Sequence, residues 1–273
     1  MRTQLEKTIA FRALHERDRT FIIPNPWDVG TARLLAQLGF EALATTSAGY
    51  AFSLGRQDYK VGREQMMAHV RAMVSATDLP VSADLENGFG DDPKTVAETI
   101  RLAGEAGLAG GSIEDSNGRH DQPIYKFELA VERVRAAAEA ARSLPYPFVL
   151  TGRAENHLFG FTDLKDTIRR LEAYQDAGAD VLYAPGLVSK EDIRTVVRSL
   201  DRPVNVLMGS GNTQFSLDEL SEIGVKRVSV GSALCRVALG AFLRAAQEMR
   251  ERGTFKFVAE AVNYREINAL FEL

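Results

Sequence analysis

Short apolar runs alternate with longer amphipathic segments along the whole chain. The runs are rich in β-branched residues, which is typical of buried parallel strands. A helix-length segment separates each run from the next, so the pattern predicts parallel strands joined by crossover helices. The predicted strands are Phe21–Ile23, Ala42–Ala44, Pro80–Asp84, Gly111–Ile113, Phe148–Thr151, Val181–Tyr183, Val204–Leu207 and Val225–Val230.

Helix signals complete eight strand and helix units. One helix is predicted from the N-cap Asp28 to Leu38, and another covers Arg63–Ser75. No Pro-, Gly- or Ser-rich linker divides the chain, so the sequence predicts one (β/α)8 TIM-type barrel domain over residues 1–273. A doubly wound sheet is the alternative. Its first loop should be rich in glycine, whereas the first loop here reads PNPWD.

The end of the chain lies outside the eight units. Residues Phe255–Leu273 have an apolar helical pattern and follow the eighth barrel helix. We therefore predict a C-terminal helical extension over 255–273 that packs against a partner subunit.

Composition excludes several classes of protein. The net charge is −4 and the basic residues are scattered, which does not fit a nucleic-acid-binding surface. The single cysteine, Cys235, excludes an intrachain disulfide framework. No apolar run reaches membrane-spanning length, and the charged N-terminus is unlike a signal peptide. We expect a cytoplasmic protein that acts on a small molecule.

Acidic residues follow two neighbouring predicted strands. Asp84 and Glu86 are two residues apart and share one face of the strand end, and Glu114 ends the next strand. Strand ends of a barrel face one mouth, so these carboxylates should converge. Oxygen ligands of this kind suit Mg²⁺ or Mn²⁺. The alternative is a set of solvated acidic residues at two loops.

Two further polar residues end later strands. Arg153 can present a two-pronged donor to a substrate carboxylate, or it can only neutralise the acidic cluster. Asn205 can point into the mouth or bond within the core.

Loops rich in small residues are candidate anion sites. Thr45–Tyr50 can form a nest of amide and hydroxyl donors, or a plain turn. The turns Gly209–Gly211 and Val230–Ser232 follow the last two strands, where many barrels bind phosphate.

The four histidines form no metal-binding pattern. His15 and His69 lie in predicted helices and are expected at the surface. The segment 117–125 is predicted to be a mobile lid over the mouth, with His120 as a proton donor or acceptor. A solvated loop with an inert histidine is the alternative.

Several segments, in order, resemble the isocitrate lyase/phosphoenolpyruvate mutase superfamily. They read NPWDVGTARLLAQLGFEALATTSAG, SADLENGFG, GGSIEDS, TGRAEN, GADVLYAPG, PVNVL and GVKRVSVGSAL. The resemblance implies Mg²⁺ or Mn²⁺, an enolate intermediate of a small 2-oxo acid, and a homotetramer or dimer. It also implies that the helix at the C-terminal end is swapped between subunits.

The same resemblance implies roles for individual residues. Glu86 stands where the family more often has Asp, and the small residues after the second strand would hold the substrate carboxylate and oxo group. Asp84, Glu86 and Glu114 would form the metal site, Asp58 would be an acidic residue near the metal, Ser47, Ala48, Gly49 and Tyr50 would contact substrate, Arg153 would grip a carboxylate, and Asn205 would line the pocket.

The chain departs from the family in its loops. The lyases carry a KKCGH-type loop with a catalytic cysteine, whereas residues 115–123 contain no cysteine. The favoured function is therefore a metal-dependent carbon–carbon lyase or decarboxylase on a 2-oxo or 2-hydroxy (di)carboxylic acid. A phosphonate P–C mutase or hydrolase, and a 2-oxo-acid-binding protein without turnover, are the alternatives.

Overall fold

The computed structural model describes residues 2–209 and 214–272. In this part of the chain eight parallel strands form one sheet in the order β1-β8-β7-β6-β5-β4-β3-β2. The strands are β1 Phe21–Ile23, β2 Leu43–Ala44, β3 Val81–Asp84, β4 Gly110–Glu114, β5 Val149–Arg153, β6 Val181–Tyr183, β7 Val204–Leu207 and β8 Arg227–Ser229. Each of the eight predicted strands is present, with ends shifted by at most two residues.

Helices surround this sheet and alternate with its strands. They are α1 Gln4–Glu16, α2 Val29–Gln37, α3 Ser47–Ser53, α4 Arg63–Ala76, α5 Pro93–Glu105, α6 Phe127–Arg142, α7 Leu164–Ala177, α8 Lys190–Ser199, α9 Leu217–Glu222, α10 Ala233–Arg252 and α11 Tyr264–Ala269. The architecture confirms the (β/α)8 TIM-type fold. The described helices include none long and apolar enough to cross a membrane.

The edge strands β1 and β2 meet where the sheet closes on itself. The amide of Ala44 donates to the carbonyl of Pro24 at 3.0 Å. The Asn25 side chain donates to the carbonyl of Thr45 at 3.1 Å and accepts from the amide of Val230 at 2.8 Å. One buried amide therefore links the carboxyl ends of β1, β2 and β8, which explains the polar first loop.

Helix α1 covers the opposite, amino-terminal end of the barrel. Phe11 and Leu14 pack there with Phe21, Ile23 and Val149. A Cβ atom at Gly110 would lie 2.9 Å from the Phe11 ring and 2.5 Å from a backbone oxygen of β5. Glycine in β4 thus permits the close approach of α1, which covers this end of the barrel.

Two sequence predictions are corrected by the fold. The segment after β2 is helix α3, begun by Thr46 as N-cap, because its hydroxyl accepts from the amide of Gly49 at 3.2 Å. The extension after α10 forms a short 3-10 helix, Lys256–Glu260, and then α11, and neither element has a buried residue. It is therefore two short helical pieces and not one helix.

Helix α10 leaves a broad apolar surface uncovered by its own chain. Only Cys235 of its twenty residues is buried. Val237, Phe242 and Leu243 are 69%, 67% and 57% exposed. A helix of this length in a globular protein normally buries one apolar face. We therefore expect a second copy of the chain to cover α10, in line with the predicted helix swap.

The double variant Val237→Glu/Phe242→Glu should lower the oligomeric state, because two charges would be desolvated in the interface. Light scattering coupled to size exclusion measures the mass. The control is Leu38→Glu, at a residue that is 72% exposed and lies outside α10. Unchanged mass in the double variant would contradict the expectation. Truncation after Gly253 tests the extension separately.

Candidate active site

A cavity of about 330 Å³ opens at the carboxyl ends of the strands. Residues from all eight strands or the loops that follow them line it. The lining includes Asn25, Ser47, Ala48, Asp58, Tyr59, Ser82, Asp84, Ser112, Glu114, Arg153, Glu155, Leu158, Phe159, Tyr183, Asn205, Arg227 and Ser229. Small side chains on the inner faces of β2, β3 and β4 leave space inside the barrel near the carboxyl ends of the strands. The cavity is therefore deep, with acidic residues on one wall and polar residues at its floor.

Arg153, at the end of β5, is the charged centre of the acidic wall. Its Nη1 lies 2.8 Å from Asp84 Oδ1 and 3.0 Å from Glu114 Oε2, and its Nε lies 2.9 Å from Glu155 Oε1. Burial disfavours its charge, but Glu114, Glu155 and Asp84 together raise the pKa of Arg153 well above its ordinary value. The guanidinium therefore stays charged and holds three carboxylates from three neighbouring strands.

Asp84 connects this cluster to the start of α3. Its Oδ2 accepts from the hydroxyl of Ser47 at 2.8 Å and from the amide of Ser47 at 3.2 Å. Asp58 Oδ1 lies 3.4 Å from the same hydroxyl. Burial, and then the charge of Asp84, raise the pKa of Asp58. Ser47 thus bridges the carboxylates of Asp84 and Asp58.

Glu114, at the end of β4, is held from its other side by Tyr59. The Tyr59 hydroxyl donates to Glu114 Oε1 and lies 2.6 Å from Ser116 Oγ. The Tyr59 backbone has a φ of 59°, in the left-handed region. A non-glycine residue pays about 1–2 kcal/mol there, which the bonds of its side chain offset. Burial, and then the charge of Glu114, raise the pKa of Tyr59, so it acts as a donor.

Glu86 is the carboxylate without a partner. It is 5% exposed, and its Oε1 is buried without a hydrogen-bond partner among the described residues. Burial, and then the charges of Asp84 and Glu114, raise the pKa of Glu86 to about 9. Its φ of 50° also lies in the left-handed region. An unpaired buried carboxylate on a strained backbone requires a proton or a cation beside it.

The donor chemistry suits a hard divalent cation, since carboxylate oxygens dominate and Glu86 has a free buried oxygen. In the described residues, however, no three acidic, imidazole or thiol side chains lie close enough to enclose a metal. Arg153 Nη1 contacts both Asp84 and Glu114 instead. A cation held by Asp84, Glu86 and Glu114 would have to displace this nitrogen from one or both carboxylates.

Asn205 contacts the floor of the cavity. Its Oδ1 accepts from Arg227 Nε at 2.8 Å and its Nδ2 donates to Ser229 Oγ at 2.9 Å. Asn205 thus lines the cavity and also bonds within the barrel wall, and its role toward a substrate stays a prediction.

Other predicted residues lie away from the cavity. Gly49 is buried against Thr46 and Trp27. Tyr50 stacks on His69 with ring centroids 3.7 Å apart. His120 is exposed in the loop after β4. The roles of Gly49, Tyr50 and His120 stay predictions. Of the two predicted glycine-rich turns, Ser210 and Gly211 lie outside the described residues.

The loop that carries His120 is a small hairpin. Ser116 pairs with Ile124 in an antiparallel bridge, and the amide of Asn117 donates to the carbonyl of Pro123 at 2.7 Å. Arg119, at the tip, forms an ion pair with Asp91 of the loop after β3. The predicted lid thus has a closed internal structure and is bonded to the loop after β3 through both Arg119 and Tyr125.

Sequence reasoning missed four residues and misplaced two histidines. His15 and His69 are 6% and 8% exposed, so the expectation of surface positions was wrong. Burial lowers the pKa of His15 to about 3 and that of His69 to about 4, and both are neutral. The residues assigned no role were Tyr59, Ser116, Glu155 and Arg227. For Arg227 a signal existed, because it shares the alternating inward face of β8 with Ser229.

The cavity lies at the carboxyl mouth of a (β/α)8 barrel, which is where enzymes of this fold carry their active sites. The sequence profile of the phosphoenolpyruvate phosphomutase family matches residues 11–250. The chain belongs to this family, within the isocitrate lyase/phosphoenolpyruvate mutase superfamily of lyases and mutases.

Relatives cover nearly the whole chain. The crystal structure of a Burkholderia cenocepacia J2315 protein, described only as a lyase/mutase, has 62% sequence identity and a TM-score of 0.96. The match covers 99% of this chain and 97% of that one. The 2-methylisocitrate lyase of Salmonella typhimurium is 29% identical, over 96% of this chain and 90% of its own. A 2,3-dimethylmalate lyase structure has 26% identity and a TM-score of 0.87, over 100% and 96%.

The raised pKa of Glu86 predicts a pH-dependent stability. Its ordinary value is 4.5 and its folded value is about 9, so between these values only the folded chain keeps the proton. Stability from this group is therefore full below pH 4.5 and is lost as pH rises, by up to about 1.4 kcal/mol per pH unit.

Thermal unfolding in the presence of a chelator, from about pH 6 to about pH 8, measures this decline. Glu86→Gln, which cannot ionise, should flatten it. The control is Glu98→Gln, because the Glu98 side chain is 46% exposed. An equally steep decline in Glu86→Gln would contradict the assignment.

Proposed function

We propose that this chain is a Mg²⁺- or Mn²⁺-dependent carbon–carbon lyase or decarboxylase that acts on a small 2-oxo or 2-hydroxy (di)carboxylic acid through an enolate. The observation that carries the proposal is the buried group of Asp84, Glu86 and Glu114 around Arg153, with one carboxylate oxygen of Glu86 unpaired. Its 2-methylisocitrate and 2,3-dimethylmalate lyase relatives support the reaction class.

The metal would be held by Asp84, Glu86 and Glu114. When bound, it supplies positive charge beside the oxygen on which charge develops as the carbon–carbon bond breaks. Displacement of Arg153 from Asp84 or Glu114 would free guanidinium donors for a substrate carboxylate, while Glu155 keeps the side chain oriented through its bond at 2.9 Å. Arg153 would thus bind a substrate carboxylate in place of Asp84 or Glu114.

Ser47 and Ala48 also line the cavity and would contact the carboxylate and oxo group of the substrate. Asp58 is the candidate proton carrier there, because it is neither one of the three proposed metal ligands nor an ion-pair partner of Arg153. It lines the cavity, burial raises its pKa, and the Ser47 hydroxyl lies 3.4 Å away. Asp58 would deliver this proton to the carbon of the enolate, directly or through Ser47. This role replaces the missing loop cysteine.

The phosphomutase match favours a second candidate, a P–C mutase or hydrolase on a phosphonate. An assay over a panel of 2-oxo acids, 2-hydroxy acids and phosphonates, with and without Mg²⁺, separates the two. Metal-dependent carbonyl product supports the lyase, and phosphate release supports the phosphonate reaction. No product from any of these substrates would leave a binding protein without turnover.

Mg²⁺ should raise the unfolding temperature of the wild-type protein, because a ligand that binds only the folded state stabilises it. Asp84→Asn should abolish this shift and the metal-dependent turnover. Asp166→Asn is the control, since Asp166 bonds Arg170 on α7 and does not line the cavity. A full Mg²⁺ response in Asp84→Asn would rule out this metal site.

Asp58→Asn and His120→Ala compare the two candidate proton carriers. Asp58→Asn should lower kcat by about a hundredfold or more, the usual contribution of general acid–base catalysis. His120→Ala should retain turnover within about threefold, because His120 is exposed and lies away from the cavity lining. Steady-state kinetics on the active substrate measures both. The reverse result would assign the proton to His120 on a closed hairpin.

A further inference from the structure

Arg227, the first residue of β8, places a buried positive charge at the floor of the cavity. Its side chain lines the cavity, and the residue is 5% exposed. Within residues 2–209 and 214–272 it forms no ion pair with a carboxylate, although the wall above it is rich in carboxylates. A buried cation without an anion loses its hydration and gains little in return.

The partners of Arg227 are all neutral. Nε donates to Asn205 Oδ1 at 2.8 Å, Nη2 donates to Thr151 Oγ1 at 3.0 Å, and Nη1 faces His15 Nε2 at 3.3 Å. His15 Nδ1 lies 2.9 Å from the carbonyl of Phe11, which can only accept, so Nδ1 carries the proton and Nε2 accepts from Arg227. Burial, and then the charge of Arg227, lower the pKa of His15 to about 3, which keeps it neutral.

These bonds use three of the five N–H donors of a guanidinium. One donor on each Nη has no partner among the described residues. The charge is therefore held in place by Asn205, Thr151 and His15 but is not neutralised by them. This is the arrangement of a binding group that has been oriented in advance.

Two other buried arginines show how this chain compensates such a charge elsewhere. Arg133 donates to the carbonyls of Asn87, Gly90 and Asp91, and its guanidinium lies 4.1 Å from the centre of the Tyr125 ring. Arg170 pairs with Asp115 and Asp166. Neither lines the cavity. Arg227 does line the cavity, but it has neither the carbonyl acceptors that surround Arg133 nor the carboxylate partners of Arg170.

We propose that Arg227 is the subsite for a second carboxylate of the substrate, remote from the acidic wall, so that the ligand is a dicarboxylate with one group at each end of the cavity. Arg153 does not serve this second group, because its own charge is shared by Asp84, Glu114 and Glu155. The inference rests on the proposed function for the location of the first carboxylate. It adds which class of acid the cavity selects.

The test compares two ligands of the same chain length, malate and 2-hydroxybutanoate, which differ by one carboxylate. Isothermal titration calorimetry with Mg²⁺ present gives Kd for both. The wild-type protein should bind malate at least about tenfold more tightly, because a charge-assisted bond is made only by malate. Arg227→Met should reduce this ratio to about threefold or less, chiefly by weakening malate.

Arg12→Met is the control, since it removes one guanidinium from a side chain that is 58% exposed and does not line the cavity, and it should keep the wild-type ratio. Arg227→Lys keeps the charge and should keep a ratio above that of Arg227→Met. Circular dichroism and thermal unfolding establish that each variant folds. A wild-type protein without preference for malate overturns the proposal even if Arg227→Met does not fold. An unchanged ratio in folded Arg227→Met overturns it as well.

The binding ratio tests the Arg227 subsite, and the turnover assay tests the proposed function, so either proposal can be rejected without the other. An Arg227-dependent preference for malate without lyase turnover would support this subsite and reject the proposed function. Metal-dependent lyase turnover with a ratio that does not depend on Arg227 would retain the function and reject the subsite.

Discussion

The site depends on one guanidinium that forms ion pairs with three carboxyl groups. Asp84, Glu114 and Glu155 reach Arg153 from β3, from β4 and from just beyond β5, so the ion cluster fixes three adjacent strand ends relative to one another. Removing one partner from such a cluster leaves an uncompensated buried charge, which costs about 3–5 kcal/mol. Glu86 forms no ion pair with Arg153, and a single positive charge does not balance the carboxylates of the acidic wall, so the wall leaves a demand for protons or a further cation.

The cavity as a whole is polarised. Carboxylates surround its upper wall, whereas Arg227 holds an uncompensated positive charge at its floor. Small residues such as Ala44, Ser82 and Ser112 separate the two and leave room for a ligand. A ligand that is asymmetric in charge and metal affinity would therefore bind in one direction only. Orientation of this kind is what positions a single bond for cleavage.

Most of the fold was predictable because the short apolar runs and the helix-length segments between them depend on local sequence. The eight strands and the convergence of Asp84, Glu114 and Arg153 followed from barrel topology. The contacts between loops were not predictable in this way. Tyr59 reaches Glu114 from a backbone in the left-handed region, with a φ of 59°. No pattern in the sequence predicts this conformation. Arg227 was overlooked because its partners lie on β5, β7 and α1, distant in sequence.

The two sides of the cavity mouth differ in the side chains that they present to a ligand. The loop after β3 is bonded through three carbonyls to Arg133 and through Asp91 to Tyr125, so the backbone around Glu86 is fixed. The loop after β5 instead presents Leu158 and Phe159, which are 49% and 37% exposed beside the cavity. Groups that hold charge need a rigid support, because a small displacement weakens electrostatic stabilisation. An exposed apolar rim can change its contacts without disturbing those charges, so the substituents that distinguish one acid from another would be selected at this rim.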